Sequence, residues 1–143
     1  MKALGSIGRV LLVKVREGSK PHQFISEVLE GQGIRLAWIN GIGGFKWARI
    51  GYFDPSRRVY ETVDVEAPEG RVIEVASLLG NSVQGPDGTH YVHIHVSLGV
   101  DQGRTIAGHL VDAEVEPFLE VLVMEVVGGL EEARRLFSHR WSH

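Results

Sequence analysis

The chain has 143 residues, of which 43% are hydrophobic and 23% are charged, as is usual for a single soluble globular domain. It contains no cysteine, which excludes disulfides, thiolate metal ligands and a cysteine nucleophile and favours a cytoplasmic location. The formal net charge of −3 is unfavourable for binding nucleic-acid phosphates, and no apolar run reaches the roughly 18 residues that a membrane span requires.

The predicted elements are mostly strands. A first strand is predicted at 9–15, and a helix follows it, with Ser19 as its cap, Pro21 in its first turn and glycines at its end. Further elements are a short helix at 130–137 and strands at 34–40, 45–54, 59–67, 71–80 and 90–100 and within 113–127. We therefore expect the α+β class: a single compact domain over 1–143, with a mixed or antiparallel β-sheet and one or two helices.

Two features interrupt the predicted strands. The sequence "GIGG" at 41–44 could cradle a phosphate only if a helix followed it, and the following segment is a predicted strand. We therefore expect a tight turn there. Pro117 lacks a backbone N–H, so it indicates a sheet edge or a break in the last strand.

The histidines of the strand at 90–100 lie on one face. Side chains alternate along a strand, so Tyr91, His93, His95 and Ser97 point to the side opposite the apolar residues between them. The apolar side is expected in the core. Two imidazoles at this spacing can converge on one metal ion with bonds of about 2.0–2.1 Å.

A third histidine depends on the register of the next strand. If the turn at 101–103 is a three-residue loop centred on Gln102, with Gly103 in the left-handed conformation, His95 falls opposite His109. A two-residue loop would move His109 to the other face. Two interpretations stay open here: a zinc site with an open fourth position, or a polar face whose histidines bond to backbone or water.

Other polar residues are weaker candidates. Glu74 could accept a hydrogen bond from a metal-bound imidazole, although a surface carboxylate is the simpler interpretation. Tyr91 and Ser97 could orient a ligand or a water. His139 and His143 lie near a chain end that we expect to fray, so we do not expect them to be ligands.

Several motifs together resemble the plants-and-prokaryotes-conserved domain (PPC domain) family, in its stand-alone prokaryotic form. They are "NGIGGF" (40–45), "GRVIEVASLLGN" (70–81), "THYVHIHVSLGVDQGRTIAGHL" (89–110) and "VEPFLEVLVMEV" (115–126). Val72 and Ala107 depart from the family pattern, where phenylalanine and glycine are common. The fold of this family is also similar to that of acetolactate decarboxylase, a zinc lyase.

The resemblance carries specific expectations. It implies a compact α+β domain that assembles as a homotrimer and holds a metal, zinc, on His93, His95 and His109. The sequence has no AT-hook-like motif, so the DNA binding of hook-bearing relatives does not carry over. The apolar run at 118–127 offers surface for self-association.

Three functions therefore stand as hypotheses. The first is a homotrimeric binding or regulatory module with a zinc site. The second is a metal-dependent hydrolase or lyase whose small-molecule substrate takes the open coordination position. The third, DNA binding by this chain alone, is the weakest because of the net negative charge.

Overall fold

A computed structural model describes residues 2–141 of the chain. In this part of the chain there are six strands, two α-helices and one 3₁₀ helix. They are β1 (Ser6–Arg16), α1 (Pro21–Gln32), β2 (Leu36–Asp54), β3 (Val59–Glu66), β4 (Ile73–Gln84), β5 (His90–Asp101), β6 (Arg104–Val127), α2 (Leu130–Leu136) and the 3₁₀ helix Ser138–Arg140. None of the helices described is long and apolar enough to cross a bilayer.

The strand pairings close on themselves. β4 pairs with β5, β5 with β6, β6 with β2, and β2 with β4, all antiparallel. β1 extends the sheet along β6, and β3 extends it along β2. The α+β prediction is confirmed, with a wholly antiparallel sheet.

β2 runs straight through the "GIGG" sequence, so the predicted tight turn is wrong. The strand continues from Leu36 to Asp54, with a register shift between Gly41 and Gly43. Gly43 has φ +145°, and a Cβ on Gly44 would lie 2.2 Å from the carbonyl oxygen of Glu116. The glycines therefore let β2 bend against β6 at close approach, where a side chain would not fit.

β6 is longer than the predicted strand within 113–127, because its first part pairs with β5 and its later part with β1 and β2. The ladder between β2 and β6 jumps from Gly43↔Leu119 to Phe45↔Val115. β6 itself does not break at Pro117, where the sequence predicted an edge or a break; only its ladder with β2 shifts register there. A proline inside a paired strand leaves one ladder hydrogen bond unmade, so the irregularity falls where that bond is missing.

Alternation along β5 separates a core face from an outer face. Ile94, Val96 and Leu98 are buried, and Val92 packs against the core from a half-buried position. On α1, Ile25 and Leu29 are fully buried. The residue at its N-cap is Lys20 rather than Ser19, and it makes no capping bond from its side chain. The histidine face of β5 therefore points away from this core.

Candidate metal centre

The register that brings the histidines together is confirmed. His95 is the ladder partner of His109, and the residue numbers of the pairs sum to 204 out to Gly99↔Thr105. The loop itself differs from the prediction. The pair next to the turn is Asp101↔Arg104, so the loop has two residues. Val100 is an extra residue on β5 without a partner on β6. This bulge compensates for the shorter loop, so His109 stays on the face of His95.

The three imidazoles converge. Their ring centroids are 5.0 Å apart for His93–His95, 4.9 Å for His93–His109 and 5.5 Å for His95–His109. One nitrogen from each ring lies within 4.8 Å of the other two. A tetrahedral zinc site with bonds of about 2.0–2.1 Å separates its nitrogens by about 3.4 Å, so small side-chain rotations suffice to form it. Among residues 2–141, no other group of histidine and acidic side chains meets this criterion.

Two buried polar atoms at this site lack a hydrogen-bond partner. One is Nδ1 of His109, and the other is Oδ1 of Asn81, the ladder partner of His93. A buried polar group without a partner costs about 1–3 kcal/mol. An ion bound at the His109 nitrogen would satisfy that group, and an amide oxygen beside His93 suits the N–H of a metal-bound imidazole. Asn81 was not among the predicted site residues, because the predicted strand at 71–80 ended one residue before it.

Two of the three histidines, His93 and His109, are held in the neutral form that a metal ion requires. Burial, the charge of Arg140 and the neighbouring histidines together lower the pKa of His93 to about 4, with burial the largest cause. Burial also lowers the pKa of His109, followed by the effects of His95 and Arg140. Protons therefore compete weakly for these two nitrogens near neutral pH.

Arg140 reaches the histidine cluster from the C-terminal part of the chain. Its Nη2 lies 3.2 Å from Nδ1 of His93, and its Nη1 donates to the Tyr91 carbonyl at 3.4 Å. The side chain is half-buried, and burial lowers its pKa. Within residues 2–141, no carboxylate forms an ion pair with it.

The segment that carries Arg140 is anchored, contrary to the fraying expected at this chain end. Arg134 donates from Nε to the Gln84 carbonyl at 2.8 Å and from Nη2 to the Gly85 carbonyl at 3.1 Å. Trp141 contacts the Tyr91 ring, with centroids 5.1 Å apart. These contacts hold the 3₁₀ helix against the strands that bear the histidines.

Two histidines, His139 and His143, lie at the end of the sequence. His139 is exposed and is not part of the histidine cluster, but it is near enough to help lower the pKa of His93. His143 lies outside the described residues.

Tyr91 and Ser97, two of the other predicted site residues, lie on the strand that carries His93 and His95. Tyr91 lies two residues before His93, with its ring against Trp141. Ser97 lies two residues after His95, opposite Ser77 and Ala107, and is half-buried. Both share the histidine face.

Glu74 is not at the histidines. Its side chain is exposed, and its ladder partner is Gly99. Glu74 lies five residues along β4 from Leu79, the partner of His95, and five residues of strand span about 17 Å. It lines a separate cleft of about 950 Å³ beside the turn between β5 and β6. The surface interpretation fits this position.

An aromatic and a histidine side chain complete the wall on the other side of His109. The Tyr60 ring lies 5.4 Å from the His109 ring, between their centroids, and Phe53 lies 5.3 Å beyond Tyr60. Burial, followed by the proximity of His109, lowers the pKa of His22 on α1 to about 4, against a smaller opposing effect of Asp112. These residues were not predicted, because nothing local to β2, β3 or α1 indicates that they approach β6.

Comparisons with known proteins agree with this architecture. The sequence matches the Plants and Prokaryotes Conserved (PCC) domain over residues 2–127. A plant- and prokaryote-conserved protein of Pyrococcus horikoshii is 36% identical, with a TM-score of 0.81 over 90% of this chain and 85% of that chain. A metal-containing protein of Archaeoglobus fulgidus is 32% identical, with a TM-score of 0.82 over 91% of this chain and 88% of that chain.

A more distant likeness concerns the fold alone. The α-acetolactate decarboxylase of Bacillus subtilis is 15% identical, with a TM-score of 0.54 over 81% of this chain and 51% of that chain. No curated protein matches the chain. Both predicted resemblances, to the domain family and to the decarboxylase fold, are thus confirmed. On the family match and the Pyrococcus and Archaeoglobus likenesses, the chain belongs to the Plants and Prokaryotes Conserved (PCC) domain family.

Proposed function

We propose that this protein is a homotrimeric metal-binding module that holds one zinc ion on His93, His95 and His109. The observation that carries the proposal is the convergence of three imidazole nitrogens within 4.8 Å. The neutral state of His93 and His109 and the unpartnered Nδ1 of His109 support it. So does the relationship to a metal-containing protein that is 32% identical. Imidazole suits zinc, copper and nickel, and zinc fits a set of three histidines with one open position.

Metal content tests this proposal. The wild type is expected to retain about one zinc per chain after dialysis, whereas His95→Ala removes the ladder partner of His109 and should lose most of it. His139→Ala is the matched control, because His139 is a histidine near the site but outside the cluster. The measurement is elemental analysis of the three dialysed proteins. Equal zinc in the wild type and His95→Ala, or none in the wild type, would contradict the proposal.

The homotrimer part of the proposal is supported by an exposed apolar face. Leu12 on β1 is 85% exposed, Ile42 on β2 is 54% exposed and Leu79 on β4 is 47% exposed. They line one cleft of about 620 Å³. Apolar side chains gathered in this way are typical of protein interfaces, and a second copy of the chain is the occupant that the family resemblance favours.

A second candidate function is a metal-dependent hydrolase or lyase that acts on a small molecule. It is favoured by the exposure of His95, since three nitrogen ligands with a solvent-facing fourth position are typical of catalytic zinc sites. In such a site, the ion activates a water or polarises a carbonyl group. Zinc-dependent turnover that disappears in His95→Ala would favour this candidate over the binding module.

A further inference from the structure

We infer that the metal centre binds a small oxyanion, a carboxylate or a phosphate, between the open coordination position and the guanidinium of Arg140. The inference rests on the proposed function, since it requires an ion on the three histidines. It adds the chemical class of the ligand and a residue that recognises it. Arg140 lies beyond residues 2–127, the part of the chain that matches the family.

The hydrogen bond between Arg140 and His93 is incompatible with a metal ion on His93. A guanidinium only donates, so in the absence of a metal Nδ1 of His93 accepts from Nη2 of Arg140 at 3.2 Å. A metal-bound neutral imidazole has one nitrogen on the ion and a hydrogen on the other, and neither can accept. Metal binding therefore deprives Arg140 of its acceptor on His93.

A bound ion and Arg140 would together concentrate positive charge at the metal centre. A divalent ion on neutral imidazoles, with Arg140 beside it, gives a half-buried region of strong positive potential. Of the residues described, no acidic side chain is paired with Arg140, and Asp112, which acts on the charge of His22, is already bonded to Lys20 at 2.9 Å. A half-buried cation without a counter-charge is costly, and an anion that bridges the ion and the guanidinium would offset this cost.

Arg140 is held in place by contacts other than its bond to His93. Its guanidinium lies over the Phe137 ring, 4.3 Å from the ring centroid, and its Nη1 bonds to the Tyr91 carbonyl. Trp141 and Arg134 secure the segment on either side. The donor group thus stays beside the histidines when the His93 bond is lost, and a planar guanidinium matches the paired oxygens of a carboxylate or a phosphate.

A cobalt-substituted protein tests the inference without any enzymatic assay. Co²⁺ replaces zinc at nitrogen sites and has a visible spectrum that changes when its fourth ligand changes. The cobalt protein is titrated with acetate and with inorganic phosphate, and acetamide serves as the neutral analogue of acetate. We expect acetate or phosphate to shift the spectrum with saturation, and acetamide to leave it unchanged. The arm that saturates at lower concentration identifies the preferred oxyanion.

Variants of two arginines decide whether Arg140 is involved. Arg140→Gln should keep cobalt but bind the oxyanion about tenfold or more weakly, because a charge-assisted bond is lost. Arg140→Lys should recover part of the affinity. Arg135→Gln is the control, since Arg135 is exposed and pairs with Glu132, and it should match the wild type.

The outcomes separate the two proposals. If cobalt binds but the wild type and Arg140→Gln have equal affinity for the oxyanion, the inference is wrong and the metal site is unaffected. The same holds if cobalt binds and neither oxyanion changes the spectrum. Failure of the wild type to bind cobalt, checked by elemental analysis, overturns the metal site and the inference with it.

Discussion

At the scale of single residues, burial without compensation marks the site. Nδ1 of His109 and Oδ1 of Asn81 have no partner, and His22 and His93 each have a pKa lowered to about 4 by burial. A fold rarely buries polar groups in this way unless a ligand satisfies them or a function uses them. These four residues lie on α1, β4, β5 and β6 and meet at the histidine cluster.

His22 should make the stability of the metal-free protein depend on pH. Its pKa is about 4 in the folded state and near the ordinary value of 6.5 in the unfolded chain, so the unfolded state binds more protons between these values. The stabilisation that comes with keeping His22 neutral is fully present above about pH 6.5 and is lost as the pH falls toward 4. His22→Gln should therefore lose less stability than the wild type over this range.

Urea unfolding with a chelator present, at about pH 7 and about pH 5, measures this effect. Gln23→Ala, an exposed neighbour on α1 that does not titrate, is the control and should follow the wild type. Parallel losses in the wild type and His22→Gln would show that His22 does not cause the pH dependence.

At the scale of elements, the hairpin of β5 and β6 sets the geometry of the site. Gly103 has φ +84° in the turn, as the sequence predicted, and the extra residue Val100 restores the register that pairs His95 with His109. A register change of one residue would place His109 on the core face. The turn therefore controls whether the third imidazole joins the other two.

Gly103→Ala should destabilise the protein by about 1–2 kcal/mol, because a side chain at positive φ is strained even where space is free. No atom lies within 4 Å of a Cβ built on Gly103, so crowding does not contribute. Gly99→Ala is the matched control in the same hairpin. Its Cβ would meet only ordinary contacts, from 3.5 Å outward, and its φ is not positive. Urea unfolding of both variants measures the difference, and a Gly103→Ala protein as stable as Gly99→Ala would contradict the role given to this turn.

At the scale of the whole molecule, one row of ladder partners links the apolar face to the metal centre. It runs from Leu12 through Leu122, Asn40 and Leu79 to His95. Directly opposed residues project to the same side, so the exposed apolar side chains and the histidines share one outer surface. Self-association through this face would bring the metal centre close to a subunit boundary.

The proposed homotrimer predicts a mass of about three times the 15.8 kDa chain by sedimentation equilibrium. Leu12→Asp should shift the mass toward that of the monomer while leaving the fold intact, because Leu12 is 85% exposed in the single chain. Gln23→Asp, which adds the same charge on exposed α1, should leave the mass unchanged. A monomeric wild type at micromolar concentration would remove the proposal.

Binding to duplex DNA should be weak. A chain with net charge −3 neutralises few phosphates, so a gel-shift titration near physiological salt is expected to show nothing tighter than about 10⁻⁶ M. Sequence-dependent retention at lower concentration would show that a folded basic surface outweighs the net charge.

The sequence by itself determined what depends on neighbours along the chain. Alternation placed His93 and His95 on one face, because strand period is a local property. The register that brings His109 opposite His95 was left open by the sequence, and the structure sets it through a two-residue turn and a bulge at Val100. An irregularity at Pro117 follows from its missing N–H, although the structure shows it as a shift in the β2–β6 ladder and not as an edge or a break in β6.

Only the tertiary structure decided the rest. The continuous path of β2 through its glycines depends on the close approach of β6, and the position of Arg140 depends on a contact with His93 across 47 residues. His22, Tyr60 and Asn81 likewise reach the histidines from other elements, and no local pattern records such distant contacts. The metal ligands could be predicted because two adjacent strands supply them all, whereas the walls of the site could not, because closure of the sheet and the packing of both chain ends bring them there.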